Sequence, residues 1–302
     1  MKYLIVITGP TAAGKTELSV RLAEKLGCDV ISADSRQFYK GMSIGTAAPD
    51  EIEKRGVRHH FTGCFPVTGY YSASMFERDA SALLGTLFKD NDLVIMTGGS
   101  GLYINAVCEG IDDIPDIDQQ VRERYTQKLK KEGIAALRAE LRIVDPEHYS
   151  RVDLRNPRRI MRALEVFAST GRPYSSFLNK NKTVRDYGIV KIGIMPGREE
   201  LYSRIDMRVD NMMAKGLEEE ARSLLPFRNE NALQTVGYRE LFEWFDGKIS
   251  REEAVRLIKR NTRRYARRQI TWWARDKNIK WFHPGETLEI LDYIGNKTGL
   301  VS

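Results

Sequence analysis

Tyr3-Leu4-Ile5-Val6-Ile7-Thr8, followed at once by Gly9-Pro10-Thr11-Ala12-Ala13-Gly14-Lys15-Thr16, is the stretch that decides how this chain reads. The first six residues are apolar or β-branched without alternation, the pattern of a strand buried on both faces. The next eight match G-x-x-x-x-G-K-[ST], and Glu17 to Leu26 then carries leucines at helical spacing. Strand, loop and helix in that order make a phosphate cradle. Backbone N–H groups and the helix N-terminus face the anion, Lys15 adds charge, and the Thr16 hydroxyl is placed for Mg²⁺. The pattern points to a polyphosphate and is silent about which one.

The rest of the chain repeats the rhythm. Asp29 to Ser32, Asp92 to Thr97, Gly188 to Met195 and the short Lys280-Trp281-Phe282 read as further strands. Helical patterns lie between them, including one that starts at Arg198. Strands alternating with helices imply a parallel sheet. The expected fold is α/β, a P-loop NTPase-like parallel sheet flanked by helices. From Asp112 to Arg185 the rhythm breaks. Val121 to Lys131, Ile134 to Ile143 and Arg158 to Ser169 have helical period, and no strand is convincing. Asp-Ile-Pro-Asp at 113–116 and Asn-Lys-Asn-Lys at 179–182 read as bracketing turns or linkers. The expected organisation is an α/β core of residues 1–111 and 186–302 with an all-helical insertion, 112–185.

Composition limits the function. At 302 residues, with 42% apolar and 29% charged residues, the chain can bury a sizeable core. No apolar run approaches the length that spans a bilayer, and the N-terminus lacks a signal-type region. Cys28, Cys64 and Cys108 are odd in number and widely spaced, so a reducing cytoplasm is the expected compartment. The net charge of +7 is unevenly placed. Residues 112–185 carry a balance of +5 and residues 256–277 one of +8, which leaves the remainder acidic. A polyanionic partner accounts for this, as would two solvated helix faces.

Several residues stand out at the expected sheet edge. The strand at 92–97 runs into Thr97-Gly98-Gly99-Ser100 with no acid at its end, where a nucleoside triphosphatase holds its Mg²⁺. The acid comes instead at Asp34, after the second strand, where strand ends line the ligand crevice. It reads as a functional carboxylate or as a helix N-cap. Ser100 is a candidate ligand contact or cap. Arg204 and Arg208 share a helix face, either as a diphosphate clamp or as an ordinary surface pair. Arg260, Arg263, Arg264, Arg267 and Arg268 follow i, i+3, i+4, i+7, i+8 in a helix expected over 251–276, about 39 Å long. No acid occurs from Ala254 to Arg275, and a phosphate backbone would offset that repulsion. Trp272 and Trp273 read as base-stacking or as core. A second cluster comprises Arg151, Arg155, Arg158, Arg159 and Arg162.

Taken together, these residues resemble the tRNA dimethylallyltransferase family, also called tRNA isopentenyltransferases. The resemblance runs through seven ordered motifs along nearly the whole chain. They are Gly9 to Thr16, Ile31-Ser32-Ala33-Asp34-Ser35-Arg36-Gln37, Tyr39 to Ala47, Gly98 to Tyr103, Asn156-Pro157-Arg158-Arg159 with Arg162-Ala163-Leu164-Glu165, Val236-Gly237-Tyr238-Arg239-Glu240 and Arg267-Arg268-Gln269-Ile270-Thr271-Trp272. Ser100 stands where Thr is usual, and Gln234-Thr235 where an Ile-Arg pair is common. No zinc finger follows, so the resemblance is to the bacterial form.

The resemblance implies transfer of a dimethylallyl group from dimethylallyl diphosphate to N6 of the adenosine immediately 3′ of the anticodon. Gly9, Pro10, Thr11, Ala12, Ala13, Gly14, Lys15 and Thr16 would hold the diphosphate, with Mg²⁺ on Thr16. Arg208 would stabilise the leaving group and Asp34 act as general base. The tRNA would meet Asp34, Ser35, Arg36 and Gln37 at the target base, and Ser100 and Arg122 at the channel. Arg158, Arg159, Ile160, Met161, Arg162, Gln234, Gly237, Tyr238, Arg239, Arg264, Arg267 and Arg268 would hold the anticodon stem-loop. A monomer is expected. A small-molecule kinase, a prenyltransferase of free adenine nucleotides, and a non-catalytic RNA-binding module are the rivals.

Overall fold

The computed structural model describes residues 1–112, 114–115, 117–178 and 183–300. Six strands, β1 (Tyr3–Thr8), β2 (Val30–Ser32), β3 (His59–His60), β4 (Leu93–Thr97), β5 (Gly188–Ile194) and β6 (Lys280–Phe282), form one sheet in the order β3-β2-β4-β1-β5-β6. Every pairing is parallel. The central strand shows why its sequence lacks alternation. Leu4 and Val6 enter one apolar cluster with Val94 and Met96, while Ile5 and Ile7 enter another with Leu93 and Ile95. Both sheet faces are covered, so every side chain of β1 from Leu4 onward is buried.

The helices are α1 (Lys15–Leu26), α2 (Glu51–Lys54), α3 (Ala73–Asp90), α4 (Gly101–Glu109), α5 (Gln119–Val144), α6 (Pro146–Arg151), α7 (Pro157–Thr170), α8 (Arg198–Ala214), α9 (Leu217–Ser223), α10 (Tyr238–Phe245), α11 (Arg251–Trp273) and α12 (Thr287–Thr298). α1 and α12 supply the layer over Ile5 and Ile7 through Leu18, Leu22, Ile290 and Ile294. The opposite face takes α3, α4, α9, α10 and α11 through residues such as Phe76, Ile104, Leu217, Leu241 and Ile258.

The chain divides into two compact units, Met1–Glu109 with Arg185–Ser302, and Gly110–Val184. The second is helical and has its own core of Tyr125, Leu137, Leu141, Ile160, Ala163 and Leu164. Its long helix α5 is two helical runs, interrupted at Gly133 with φ +75°. A glycine adopts that angle without the Cβ clash other residues meet, so the break expected between Lys131 and Ile134 is a designed corner.

Two readings are corrected, and one lies beyond test. The sequence showed no strand between β2 and β4, yet β3 lies there on the edge. Two residues are too short to leave a periodic signal. α11 stops at Trp273 and not at Asp276, about 35 Å long. Residues Asp113, Asp116 and 179–182, expected as turns, lie outside the described residues. Among the described residues no helix is long and apolar enough to cross a membrane.

Burial on both faces makes β1 intolerant of truncation. Ile5→Ala removes fully buried contacts and should lower unfolding free energy by about 2–5 kcal/mol in a urea titration. Ile52→Ala, 87% exposed, should stay within about 0.5 kcal/mol. Equal effects would contradict this placement of the core.

Candidate active site

The phosphate loop hangs from the C-terminal end of β1 and is gripped from below. Gly9 has φ +142°, and a Cβ there would lie 2.3 Å from the Ile194 carbonyl oxygen of β5. Only glycine lets the loop leave the sheet so close to its neighbour. Ala12 takes a left-handed φ of +64° and packs with Leu201 and Ile205 of α8 and Ala266 of α11. Gly14, also left-handed, opens α1 without a side-chain cap, so the first helical N–H groups stay turned to the loop.

Two cations converge on this loop. The Lys15 ammonium donates to the Pro10 carbonyl at 2.7 Å, and Arg208 donates to Thr11 Oγ1 at 3.3 Å. Burial, then the Arg208 charge, lowers Lys15 to about 7, with Asp34 opposing both. Burial also lowers Arg208 below the usual guanidinium range. The two arginines four apart on α8 therefore differ. Arg204 makes a surface ion pair with Glu200 at 2.7 Å, whereas Arg208 is half-buried against the loop.

The opposite wall comes from β2 and β4. Ala33 N–H donates to the Thr97 carbonyl at 2.7 Å and Ser100 N–H to the Ala33 carbonyl at 3.3 Å. A Cβ on Gly98 would meet Ala33 O at 2.3 Å, so the glycines after β4 allow this close approach. Asp34 sits on the resulting rim and lines one cavity with Lys15, Thr16, Thr97, Gly98, Gly99, Arg208 and Gln269. No helix follows Asp34. Its Oδ1 accepts from Arg36 N–H at 3.0 Å and closes a turn, leaving the carboxylate facing the cavity.

The neighbours expected to touch the tRNA also brace this rim. Ser100 Oγ accepts from Ser35 N–H at 2.9 Å and is hydrogen-bonded to Tyr265. The Gln37 amide accepts from Ser32 Oγ at 3.0 Å and donates to the Thr46 and Ala47 carbonyls at 3.2 Å. Arg36 donates to the Asn231 carbonyl at 2.8 Å.

The arginine stripe of α11 is not continuous. Arg263 turns toward α8 and pairs with Asp206, while Lys259 pairs with Asp210 at 2.7 Å. Acids on a neighbouring helix, invisible in the spacing of α11 itself, offset part of the repulsion. Arg264, Arg267 and Arg268 remain exposed. The tryptophans divide likewise. Trp273 is buried, and Trp272 is 38% exposed, with its indole nitrogen close to Gly101.

Near α10 the expected tRNA contacts divide too. Gln234 and Arg239 are exposed. Gly237 and Tyr238 are buried, and the Tyr238 hydroxyl donates to Glu220 at 2.6 Å. Glu220 also accepts from the Ile44 and Gly45 N–H groups at 2.8 Å, so Tyr238 ties α10 to that loop, while Gly237 N–H donates to Glu240 at 2.9 Å. In the helical unit, Arg158 and Arg159 are exposed at the start of α7, and Arg122 and Arg162 are half-buried. Ile160 belongs to that unit's core with no exposure, and Met161 packs against the same core. Ile160 is thus a packing residue, placed by the helical period one position beyond the arginine pair.

Sequence reading missed Gln269. Its Oε1 accepts from Thr11 N–H at 2.8 Å and its Nε2 donates to the Gly99 carbonyl at 2.9 Å. It is 5% exposed. A neutral amide in an arginine-rich run, four residues after Tyr265, was the available signal.

Thr16 offers a hydroxyl to the same cavity as the Asp34 carboxylate. These hard oxygens fit Mg²⁺, which takes few protein ligands and completes its shell with substrate phosphate oxygens and water.

Comparison with known proteins agrees with this geometry. The family described as IPP transferase matches residues 37–276. The chain is 48% identical to tRNA dimethylallyltransferase 1 of Bacteroides thetaiotaomicron, covering 97% of this chain and 96% of that one. It is 52% identical to tRNA dimethylallyltransferase 2 of Porphyromonas gingivalis over 93% and 94%. Among solved structures, the tRNA isopentenylpyrophosphate transferase of Bacillus halodurans superposes with a TM-score of 0.72 at 36% identity, covering 99% of this chain and 97% of that one. A loop built for a polyphosphate, a facing carboxylate, and these likenesses along the whole length lead to one conclusion: the chain belongs to the IPP transferase family, with the tRNA dimethylallyltransferases as its relatives.

Proposed function

We propose that this protein transfers a dimethylallyl group from dimethylallyl diphosphate to N6 of the adenosine immediately 3′ of the anticodon in tRNA. The observation that carries the reading is the pairing of Lys15 and Arg208 at the phosphate loop with Asp34 on the facing rim. Two partly desolvated cations with one facing acid suit an anion that gains charge as it leaves. No acid ends β4 to activate water against a γ-phosphate.

In the reaction, the bond between the allylic carbon and diphosphate oxygen breaks, and its electron pair leaves with diphosphate. The loop N–H groups, Lys15 and Arg208 stabilise that developing charge. The N6 lone pair forms the new bond to carbon, and Asp34 takes the amine proton. When bound on Thr16, Mg²⁺ supplies further charge compensation for the diphosphate. The adenine leaves the anticodon-loop stack to reach the rim. Arg264, Arg267, Arg268 and Arg239 in the first unit, and Arg122, Arg158, Arg159 and Arg162 in the second, take RNA phosphates. We infer a cytoplasmic monomer; the three free cysteines suit a reducing compartment.

The test uses radiolabelled dimethylallyl diphosphate, Mg²⁺ and unmodified tRNA with adenosine, or guanosine as control, 3′ of the anticodon. Label in the adenosine tRNA alone supports the reading. No label, with ATP consumed on small acceptors, overturns it in favour of a kinase. Asp34→Asn keeps the turn's acceptor and removes the base, so kcat should fall about 10²–10⁴-fold with tRNA affinity nearly unchanged. Unchanged kcat would remove Asp34 from the base role. Arg264→Glu with Arg267→Glu should weaken tRNA binding and reduce the slope of log affinity against log salt by about 2. An unaltered slope would mean that these arginines meet no phosphate.

Lys15 adds a pH signature. Its ammonium lies at about 7 in the ligand-free protein. Its attraction for an anion is therefore complete below that pH and lost progressively above it. Lys15→Arg carries a guanidinium that stays charged. The ratio of wild-type to variant affinity for pyrophosphate should fall as pH rises from 6 to 9, measured by calorimetry. A flat ratio would show that Lys15 is not the group that titrates.

A further inference from the structure

Helix α11 has two faces with different tasks. Arg264, Arg267 and Arg268 look outward, whereas Tyr265, Ala266 and Gln269 look inward to the cavity walls. Gln269 is the residue that reaches both walls. Its carbonyl oxygen holds Thr11 N–H of the phosphate loop, and its amide nitrogen holds the Gly99 carbonyl after β4. Both bonds are short and the side chain is buried, so neither is readily exchanged for water.

Each end bears on a working group. At Thr11, Gln269 fixes the backbone while Arg208 holds the hydroxyl of the same residue. The loop's cation clamp is therefore anchored on a residue whose amide is tied to α11. At the other end Gly99 lies beside Asp34, since a Cβ at Gly99 would stand 4.0 Å from its Oδ2. The same Cβ would lie 2.2 Å from Gln269 Nε2. Gly99 does not have a left-handed φ. Its lack of a side chain serves the space for that amide and not an unusual backbone angle. One turn back along α11, Tyr265 reaches Ser100, which holds Ser35 N–H next to Asp34.

We propose that Gln269 is a positioning residue that sets the distance between the phosphate loop and the Asp34 rim, and so aligns leaving group and base. The inference rests on the transfer reaction proposed above. Orientation has a large lever on rate, since a misplacement of about 1 Å costs on the order of 10²-fold. Gln269 touches neither reacting atom, so its loss should act on alignment while leaving the RNA surface of α11 intact.

Gln269→Leu keeps the volume and removes both hydrogen bonds. Pyrophosphate affinity should weaken about tenfold and kcat fall about 10- to 100-fold. The KM for tRNA should stay within about threefold and the melting temperature within a few degrees. Gly99→Ala displaces the same amide from the other side and should give the same pattern. Because both variants release one clamp, the double variant should be no worse than the poorer single one. Unchanged pyrophosphate affinity and kcat in Gln269→Leu would overturn the proposal. So would additive losses in the double variant, or a tRNA KM that rises together with a collapse in melting temperature. If Gln269→Leu does not fold, Gly99→Ala with wild-type pyrophosphate affinity and kcat overturns it alone. If the wild-type protein transfers no label to tRNA, the reaction assignment fails. The clamp is then decided by pyrophosphate affinity in the two variants.

Discussion

Two positive charges held in a confined, partly dry space are the constraint around which this molecule is organised. Lys15 and Arg208 reach the same loop; Asp34 opposes both across the cavity, and Glu53 opposes Arg208 as well. The Lys15 ammonium is lowered first by burial and then by the Arg208 charge, so the arrangement disfavours the charged form when no anion is bound. A fold shaped by stability alone would place an acid between them. In the transfer proposed above, a diphosphate would remove the repulsion on arrival and gain charge as the allylic bond breaks, so the same arrangement would favour the transition state over the ground state.

Holding such a loop requires rigidity from the whole sheet. β1 is buried on both faces between β4 and β5, and the loop is packed by α8 and α11 through Ala12. The facing rim is built the same way, from the hydrogen bonds that bind Ala33 to Thr97 and Ser100. Ser100 and Gln37 brace this rim as well, through Ser35 N–H, Ser32 Oγ and the Thr46 and Ala47 carbonyls. Gln37 also lines the cavity beside Asp34, and Tyr238 ties α10 to Glu220.

Helix α11 has a solvent face and a cavity face. Its outer face is basic, and its inner face supplies Gln269 to the phosphate loop and Tyr265 to the Asp34 rim. Acids on α8 neutralise Arg263 and Lys259. The exposed charge is thereby concentrated on Arg264, Arg267 and Arg268. The helical unit, with a core of its own, carries a separate exposed pair at Arg158 and Arg159.

The sequence by itself determined the parallel sheet, the phosphate loop, the place of Asp34 and the helical stretch between β4 and β5. Each depends on local information: unbroken apolar runs, a motif of fixed spacing, glycines at a strand end, and helical period. Gln269, the pairing of Arg263 with Asp206, the burial of Ile160, Gly237 and Tyr238, and the two-residue strand β3 were decided only by the tertiary structure. Their partners are distant in the chain or their segments too short for periodicity. Thr11 and Gln269 are 258 positions apart. Nothing in the spacing of α11 distinguishes an arginine that meets solvent from one that meets Asp206, because which face a helix buries depends on what the fold packs against it.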